Sequence, residues 1–194
     1  MPFTEQHRTI LLDTAWRSIR HGLADGTPLA VDPAEFDNPL TESGASFVTL
    51  HQQQNTLCGC IGTLEAYRPL IVDVAENAFS AAFRDPRFAP VKQADIADIS
   101  LDISILGKPE ALGFESQQDL LEQIIPGRDG LILQDGPNRG TFLPTVWESL
   151  PDSKDFLRHL KMKAGLSADH WSDTLKIWRY TTECFGGQRD DCRG

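Results

Sequence analysis

Apolar residues recur along the chain with two periods, one typical of helices and one typical of strands. The segment Thr4–Gly22 repeats apolar residues at helical spacing and predicts an amphipathic helix that ends at Gly22. A second amphipathic helix is predicted to begin at Pro69 and to end before Asp85. Further helices are predicted over Ser116–Ile125, Thr145–Leu150 and Ser153–Ala164.

Strict alternation of apolar and polar residues is clearest at Asp98–Leu106. This pattern predicts a strand with one face in a core, while Asp98 and Asp102 lie on a solvated face. Because strands and helices come in mixed order with hairpin-like pairs, we expect an α+β fold with mostly antiparallel sheets and flanking helices. The other predicted strands are Ser46–Leu50, Leu57–Leu64, Leu131–Gln134, Arg139–Leu143 and Thr174–Phe185.

Composition narrows the classes of function. A length of 194 residues fits one large domain or two small lobes, and the formal net charge of −10 disfavours nucleic acids and anionic membrane surfaces as partners. We find no apolar run long enough to span a bilayer and no signal peptide at the N-terminus. Four cysteines are too few for a disulfide scaffold, so we expect reduced thiols and a cytoplasmic protein.

The most unusual segment is Leu57-Cys58-Gly59-Cys60-Ile61-Gly62. On a regular strand Cys58, Cys60 and Gly62 would share one face, and the glycines would allow close approach of a ligand or of another backbone. Cys60 is a candidate nucleophile, the two thiols are a candidate redox couple, and with His51 they could contribute to a metal site. The structural alternative is that both cysteines are small buried hydrophobic residues.

Other candidate sites are weaker. No second cysteine pair completes a zinc site, so neither a metal nor a cofactor is predicted. The segment Gly127–Gly130 has the spacing of a KH-domain loop, but Asp129 and the acidic chain favour a simple turn. Arg139 is a candidate anion contact beside a turn. Trp171 and Trp178 are interpreted as packing residues rather than as a stacking platform.

The chain resembles the AMMECR domain family. The resemblance rests on the segment from Leu57 to Ala66, on Arg139-Gly140-Thr141-Phe142-Leu143-Pro144-Thr145-Val146-Trp147, and on shorter matches that extend to Tyr180. Within that family the chain looks like the bacterial branch, called AmmeMemoRadiSam system protein A. The resemblance implies a single two-lobed domain over residues 1–186. We expect the tail at 187–194 to be mobile, because it is a chain terminus. It also implies a pathway shared with a Memo-like protein and a radical SAM enzyme.

One position departs from the family pattern. Cys58 stands where the family hexapeptide normally has an arginine, which on a strand would lie beside Cys60 and favour its thiolate. Another cation, such as Arg68, could replace that arginine, or the two thiols could form a redox-active pair.

Two functional hypotheses follow. The first is an enzyme, or an enzyme component, that acts on a small molecule. In it Cys60 is the reactive group, Glu65 is a proton carrier or orienting residue, and Cys58, Gly59, Gly62 and Arg139 contribute to binding. The second is a non-catalytic accessory or protein-interaction domain of the same system.

Overall fold

The computed structural model describes residues 3–186, and the predicted tail at 187–194 lies outside them. Within residues 3–186 the α-helices are α1 (Glu5–Asp25), α2 (Leu70–Phe83), α3 (Gln117–Gln123) and α4 (Ser153–Lys163). The strands in this range are β1 (Ser43–Gly44), β2 (Ser46–Gln52), β3 (Thr56–Gly62), β4 (Arg68–Pro69), β5 (Ser100–Leu106), β6 (Glu110–Leu112), β7 (Gly130–Asp135), β8 (Asn138–Phe142), β9 (Lys176–Tyr180) and β10 (Thr182–Gly186). The predicted α+β class with largely antiparallel sheets is confirmed.

The described chain divides into two compact units, residues 3–106 with 183–186 and residues 107–182. In the first unit the strand order is β10-β5-β2-β3, and β2 pairs antiparallel with both β3 and β5. Helices α1 and α2 share one hydrophobic core with the apolar face of this sheet. Fully buried members of that core are Leu11, Ala15, Ile19, Leu40, Val48, Leu50, Ile71, Val74, Ala78 and Ile103.

The first helix is longer than its sequence pattern predicts. It begins after Thr4, whose hydroxyl accepts a hydrogen bond from the His7 backbone, and it ends at Gly26, which has a left-handed φ of 71°. Gly22, predicted to end the helix, lies inside it. A Cβ at Gly22 would lie 2.4 Å from the Phe83 ring, so this glycine allows α1 and α2 to pack closely.

In the second unit the strand order is β6-β9-β7-β8, with antiparallel pairing throughout. Helices α3 and α4 pack against it around Trp147, whose indole stacks on Phe156 with ring centroids 3.7 Å apart. The indole nitrogen donates to the carbonyl of Asp129 at 2.7 Å. The Asp129 carboxylate is buried and accepts from the Ile125 amide, so the segment after α3 is a closed turn.

The strands predicted over Asp98–Leu106 and Thr174–Phe185 differ from those observed. The strand predicted from Asp98 begins at Ser100, because residues Gln93–Asp98 form a 3-10 helix. The single strand predicted over Thr174–Phe185 is two strands, β9 and β10, which belong to different sheets. No glycine, proline or asparagine marks the break at Thr181, so the sequence pattern gave no sign of it.

The carboxylate of Asp135 fixes the loop before β9. It accepts hydrogen bonds from Thr174 at 2.6 Å, His170 at 2.5 Å and Ser172 at 2.7 Å. Hydrogen bonds from Thr174 first, and then from His170 and Ser172, lower the pKa of Asp135 to about 2. We call Asp135 and its three partners the Asp135 clamp.

The Asp135 clamp makes the stability of the protein depend on acidic pH. Since the folded-state pKa lies below the value of about 4 for an unfolded aspartate, the clamp stabilises the fold above that pH. This stabilisation is lost as the pH falls from about 4 towards 2. We expect thermal unfolding midpoints to fall less steeply over that window in Asp135→Asn than in the wild type. Parallel plots of the unfolding midpoint against pH for Asp135→Asn and the wild type would contradict this role of the clamp. The control variant is Asp13→Asn, which changes an exposed carboxylate of helix α1.

Candidate functional site

The cysteine-bearing strand β3 is not regular. Its pairing with β2 shifts register between Leu50 and His51, which makes Cys58 the extra residue of a β-bulge. Cys58 packs against the hydrophobic core of the first unit, whereas Cys60 contacts Thr49 on the opposite, polar face of the sheet. The predicted common face for the two thiols is therefore wrong, because the bulge interrupts the alternation of side chains.

The glycines of this segment serve packing within the protein. A Cβ at Gly59 would lie 2.2 Å from the backbone oxygen of Ala81 in α2. A Cβ at Gly62 would lie 2.2 Å from the ring of Phe47 on β2. The close approach predicted at these glycines is that of a helix backbone and an aromatic side chain, rather than that of a ligand.

The environment of Cys58 favours the neutral thiol. Burial is the main cause that raises its pKa, and the negative charge of Asp95 raises it further. Since the thiolate is the reactive form, Cys58 is a poor nucleophile at neutral pH.

Cys60 is half-buried and lies directly opposite Thr49 on β2. The Thr49 hydroxyl donates to the Cys60 Sγ at 3.4 Å. The Cys60 amide donates to Oδ2 of Asp85 at 2.9 Å, and its carbonyl accepts from Nη2 of Arg87 at 3.0 Å. Thus one hydroxyl contacts the sulfur, and a carboxylate and a guanidinium hold the backbone that carries it.

Asp85 and Arg87 form a two-point ion pair just after α2. The arginine Nε lies 2.9 Å from Oδ1 and its Nη2 lies 2.7 Å from Oδ2 of the aspartate, whose side chain is 2% exposed. Hydrogen bonds from Arg87 are the main cause that holds the pKa of Asp85 well below its usual range. The pKa of Arg87 is raised, first by Asp85 and to a smaller extent by Cys60.

The cation beside Cys60 is therefore Arg87. Arg68, suggested from the sequence, donates its Nε to Oδ1 of Asp73 at 2.8 Å and belongs to a buried polar network. Sequence reasoning treated Asp85-Pro86 only as a helix end and missed the residue that follows. The signal that could have found it is an Asp-x-Arg spacing directly after a buried helix.

A histidine and an aspartate continue the polar face of the sheet. Thr49 is paired with Asp102 on β5 as well as with Cys60 on β3, so the three side chains form one row across the sheet. His51 lies two residues further along β2, and its Nδ1 is 3.3 Å from Oδ2 of Asp102. Both residues are buried, at 3% and 7% exposure. The predicted solvated position of Asp102 is therefore wrong.

The remaining predicted site residues lie elsewhere. Glu65 is exposed, three residues beyond the end of β3. Arg139 is exposed on β8, in the second unit. Across residues 3–186, no three His, Cys, Asp or Glu side chains are grouped so as to hold a metal ion. Over the same range, no helix is both long and apolar enough to cross a membrane.

Comparison with known proteins identifies the family. The model of the AMMECR1 family matches residues 12–185. The chain belongs to the AMMECR1 family. The chain is 40% identical over 157 residues to the protein MJ0810 of Methanocaldococcus jannaschii. The matched region covers 77% of this chain and 76% of that protein. A protein of Methanothermobacter thermautotrophicus is 36% identical over 190 residues, with 95% and 96% of the two chains covered.

A solved structure shares the fold of this AMMECR1-family chain. It is the crystal structure of the uncharacterized protein PH0010 from Pyrococcus horikoshii, with a TM-score of 0.76 and 32% sequence identity. The match covers 91% of this chain and 89% of that chain. The family and the α+β fold expected from the sequence are therefore confirmed, while the names of these relatives specify no reaction.

Proposed function

We propose that this chain is an enzyme, or an enzyme component, that acts on a small molecule through Cys60. The observation that carries the proposal is the set of groups around one half-buried thiol. A hydroxyl of Thr49 donates to the sulfur, and the guanidinium of Arg87 is anchored at the carbonyl of the same residue. The hydroxyl contacts the sulfur itself, and the guanidinium contacts the backbone of the residue that carries it.

The same sheet face offers a proton acceptor. The Nδ1 of His51 lies 3.3 Å from Oδ2 of Asp102. His51 is also diagonally across from Cys60 in the register of β2 and β3, a spacing that a ring side chain can bridge. In the proposed site His51 accepts the thiol proton and Asp102 orients the ring. Glu65, the proton carrier expected from the sequence, stays a prediction.

The first experiment measures which thiol reacts. We expect iodoacetamide at pH 7.5 to alkylate Cys60 at least about tenfold faster than Cys58, because the neutral Cys58 thiol reacts slowly. In this reaction the thiolate displaces iodide, and the thiol proton passes to solvent. Mass spectrometry of proteolytic peptides reports the two rates within one sample. Equal rates, or faster modification of Cys58, would contradict the proposal.

Matched threonine variants separate activation from mere access to the sulfur. Thr49→Val keeps the shape of the side chain but removes the hydroxyl that donates to Sγ, so we expect a slower rate at Cys60. Thr9→Val removes an exposed hydroxyl on α1 that bonds the backbone of Glu5, and we expect it to leave the rate unchanged.

The biological setting remains part of the proposal. We propose that the chain belongs to the bacterial branch called AmmeMemoRadiSam system protein A, that it is cytoplasmic, and that it works with a Memo-like protein and a radical SAM enzyme. Under this proposal a folded Cys60→Ala variant abolishes the activity of the pathway in its host. Full activity of that variant would refute the catalytic role.

A second candidate function is a non-catalytic interaction domain of the same system. It is favoured by large apolar side chains left exposed just after β3, with Leu64 at 45% and Tyr67 at 66% exposure. Under this alternative the double variant Leu64→Ser/Tyr67→Ser abolishes the activity of the pathway, whereas Cys60→Ala retains it.

A further inference from the structure

The ion pair beside Cys60 presents its positive partner to solvent. The Asp85 side chain is 2% exposed, whereas that of Arg87 is 56% exposed. Both oxygens of the carboxylate are occupied: Oδ1 accepts from the backbone amide and Nε of Arg87, and Oδ2 accepts from its Nη2 and from the Cys60 amide. A ligand that approaches from solvent therefore meets the guanidinium, because the negative charge lies inside the protein.

The guanidinium of Arg87 is held in place without using all of its donors. Nε and Nη2 bind Asp85 and the Cys60 carbonyl, and the central carbon of the group lies 5.2 Å from the centroid of the Phe88 ring. Within residues 3–186 the third nitrogen, Nη1, makes no hydrogen bond. An arginine fixed in this way can bind an anion while losing little further side-chain freedom.

This cation lies close to the sulfur of Cys60. Nη2 is 3.0 Å from the carbonyl oxygen of Cys60, and the carbonyl and the sulfur belong to one residue. Covalent geometry therefore keeps Nη2 within about 8 Å of Sγ, which is no more than the screening length at physiological ionic strength. Hydrogen bonds with Asp85 are the main cause that raises the pKa of Arg87, and the charge of Cys60 raises it further. A charged group on a molecule at Cys60 is consequently within reach of Arg87.

The setting favours a carboxylate over a phosphate. One nitrogen of Arg87 offers donors for one or two oxygens, which suits the single charge of a carboxylate. The formal net charge of −10 opposes a doubly charged ligand more strongly than a singly charged one.

We propose that the small molecule that reacts at Cys60 carries a carboxylate, which binds Arg87 while the thiolate attacks a neighbouring carbon. This inference rests on the proposed function and names the class of its substrate, a small organic acid with an electrophilic carbon close to the carboxylate. Arg87 is then the residue that determines specificity for the acid.

Two alkylating reagents that differ in charge test the inference. Iodoacetate carries a carboxylate, and iodoacetamide is neutral. In both reactions the thiolate forms a C–S bond, iodide leaves, and the thiol proton passes to solvent. The measured quantity is the ratio of the rate constant for iodoacetate to that for iodoacetamide at Cys60 of the full chain, at pH 7.5 and low ionic strength. The chain unfolded in concentrated urea gives the ratio without the fold, and we expect the folded chain to exceed it about threefold or more.

Arginine variants separate the charge of Arg87 from other features of the site. Arg87→Gln is expected to lower the ratio to that of the unfolded chain or below it, because Asp85 then has no cation beside it. Arg87→Lys keeps a positive charge and is expected to keep the ratio above the unfolded value. The control is Arg17→Gln on α1, because Arg17 is 57% exposed and also lies near an aspartate, Asp13. We expect this control to leave the ratio unchanged.

The wild type provides a further measurement that needs no variant. Added salt screens the charge of Arg87, so the ratio is expected to fall towards the unfolded value as sodium chloride is raised to about 1 M. The rate with neutral iodoacetamide is expected to change much less.

Three outcomes would overturn the inference. They are a wild-type ratio no higher than that of the unfolded chain, a ratio that does not respond to salt, and a preference for iodoacetate that survives in folded Arg87→Gln. The iodoacetamide rate of Cys60 relative to Cys58 tests the proposed function by itself. Fast reaction with iodoacetamide but no preference for iodoacetate would thus refute the acidic substrate and leave the reactivity of Cys60 intact.

Discussion

Replacement of Asp73 by alanine is expected to lower the free energy of unfolding by about 3–5 kcal/mol. The carboxylate of Asp73 is fully buried and accepts five hydrogen bonds. The donors are the backbone amide and the hydroxyl of Ser46, the hydroxyl of Thr63, the guanidinium of Arg68 and the side-chain amide of Asn77. Its removal leaves these polar groups, one of them charged, without their acceptor inside the protein.

Chemical denaturation followed by circular dichroism measures this loss. Asp13→Ala is the matched control, because Asp13 is an exposed aspartate in α1 that lies 3.8 Å from Arg17. We expect that variant to stay within about 0.5 kcal/mol of the wild type. A loss at Asp73 no larger than that of the control would show that the network does not stabilise the first unit.

Replacement of Gly59 by alanine is expected to destabilise the protein by about 3 kcal/mol. The added methyl group would lie 2.2 Å from the backbone oxygen of Ala81 and 3.0 Å from its carbonyl carbon. Backbone atoms of a helix cannot rotate away as a side chain can, so α2 and β3 must separate. Because Cys60 is the next residue, we also expect the rate of its alkylation by iodoacetamide to change.

Gly113→Ala is the control for Gly59→Ala. A Cβ at Gly113 meets no atom within 4 Å, and its φ is not in the left-handed region. We expect its thermal midpoint to match the wild type or to rise slightly, since alanine restricts the unfolded chain. Wild-type stability of Gly59→Ala would mean that the contact between β3 and α2 can relax at little cost.

Elements whose pattern reflects burial alone could be predicted from the sequence. Helices α1 and α2 and strand β5 each bury one apolar face, and their periodicity records it. The same reasoning misplaced Asp102, because a polar residue on a strand gives no sign of whether another group covers it. It also missed the bulge at Cys58, which depends on the register with β2.

The candidate site was predicted only in part for a related reason. The hexapeptide drew attention to Cys60, but its surroundings come from distant positions: Asp85 is 25 residues away along the chain. Nothing in the sequence distinguishes Arg87 and His51 from other polar residues. The fold brings Arg87 to the edge of β3 at Cys60, and it places His51 on the sheet face that carries the Cys60 side chain. A pattern of local spacing cannot report such contacts.

The ion pair of Asp85 and Arg87 also determines where the sheet of the first unit ends. β3 is the edge strand of the order β10-β5-β2-β3. The amide and carbonyl of Cys60 point away from β2, to the side where a further strand would pair with them. The two side chains occupy that place and satisfy both groups. An extended peptide would have to displace a buried carboxylate to add itself here. The edge of β3 is thus closed to backbone pairing at Cys60. The sulfur of the same residue lies on the face of the sheet, where its neighbour is the Thr49 side chain.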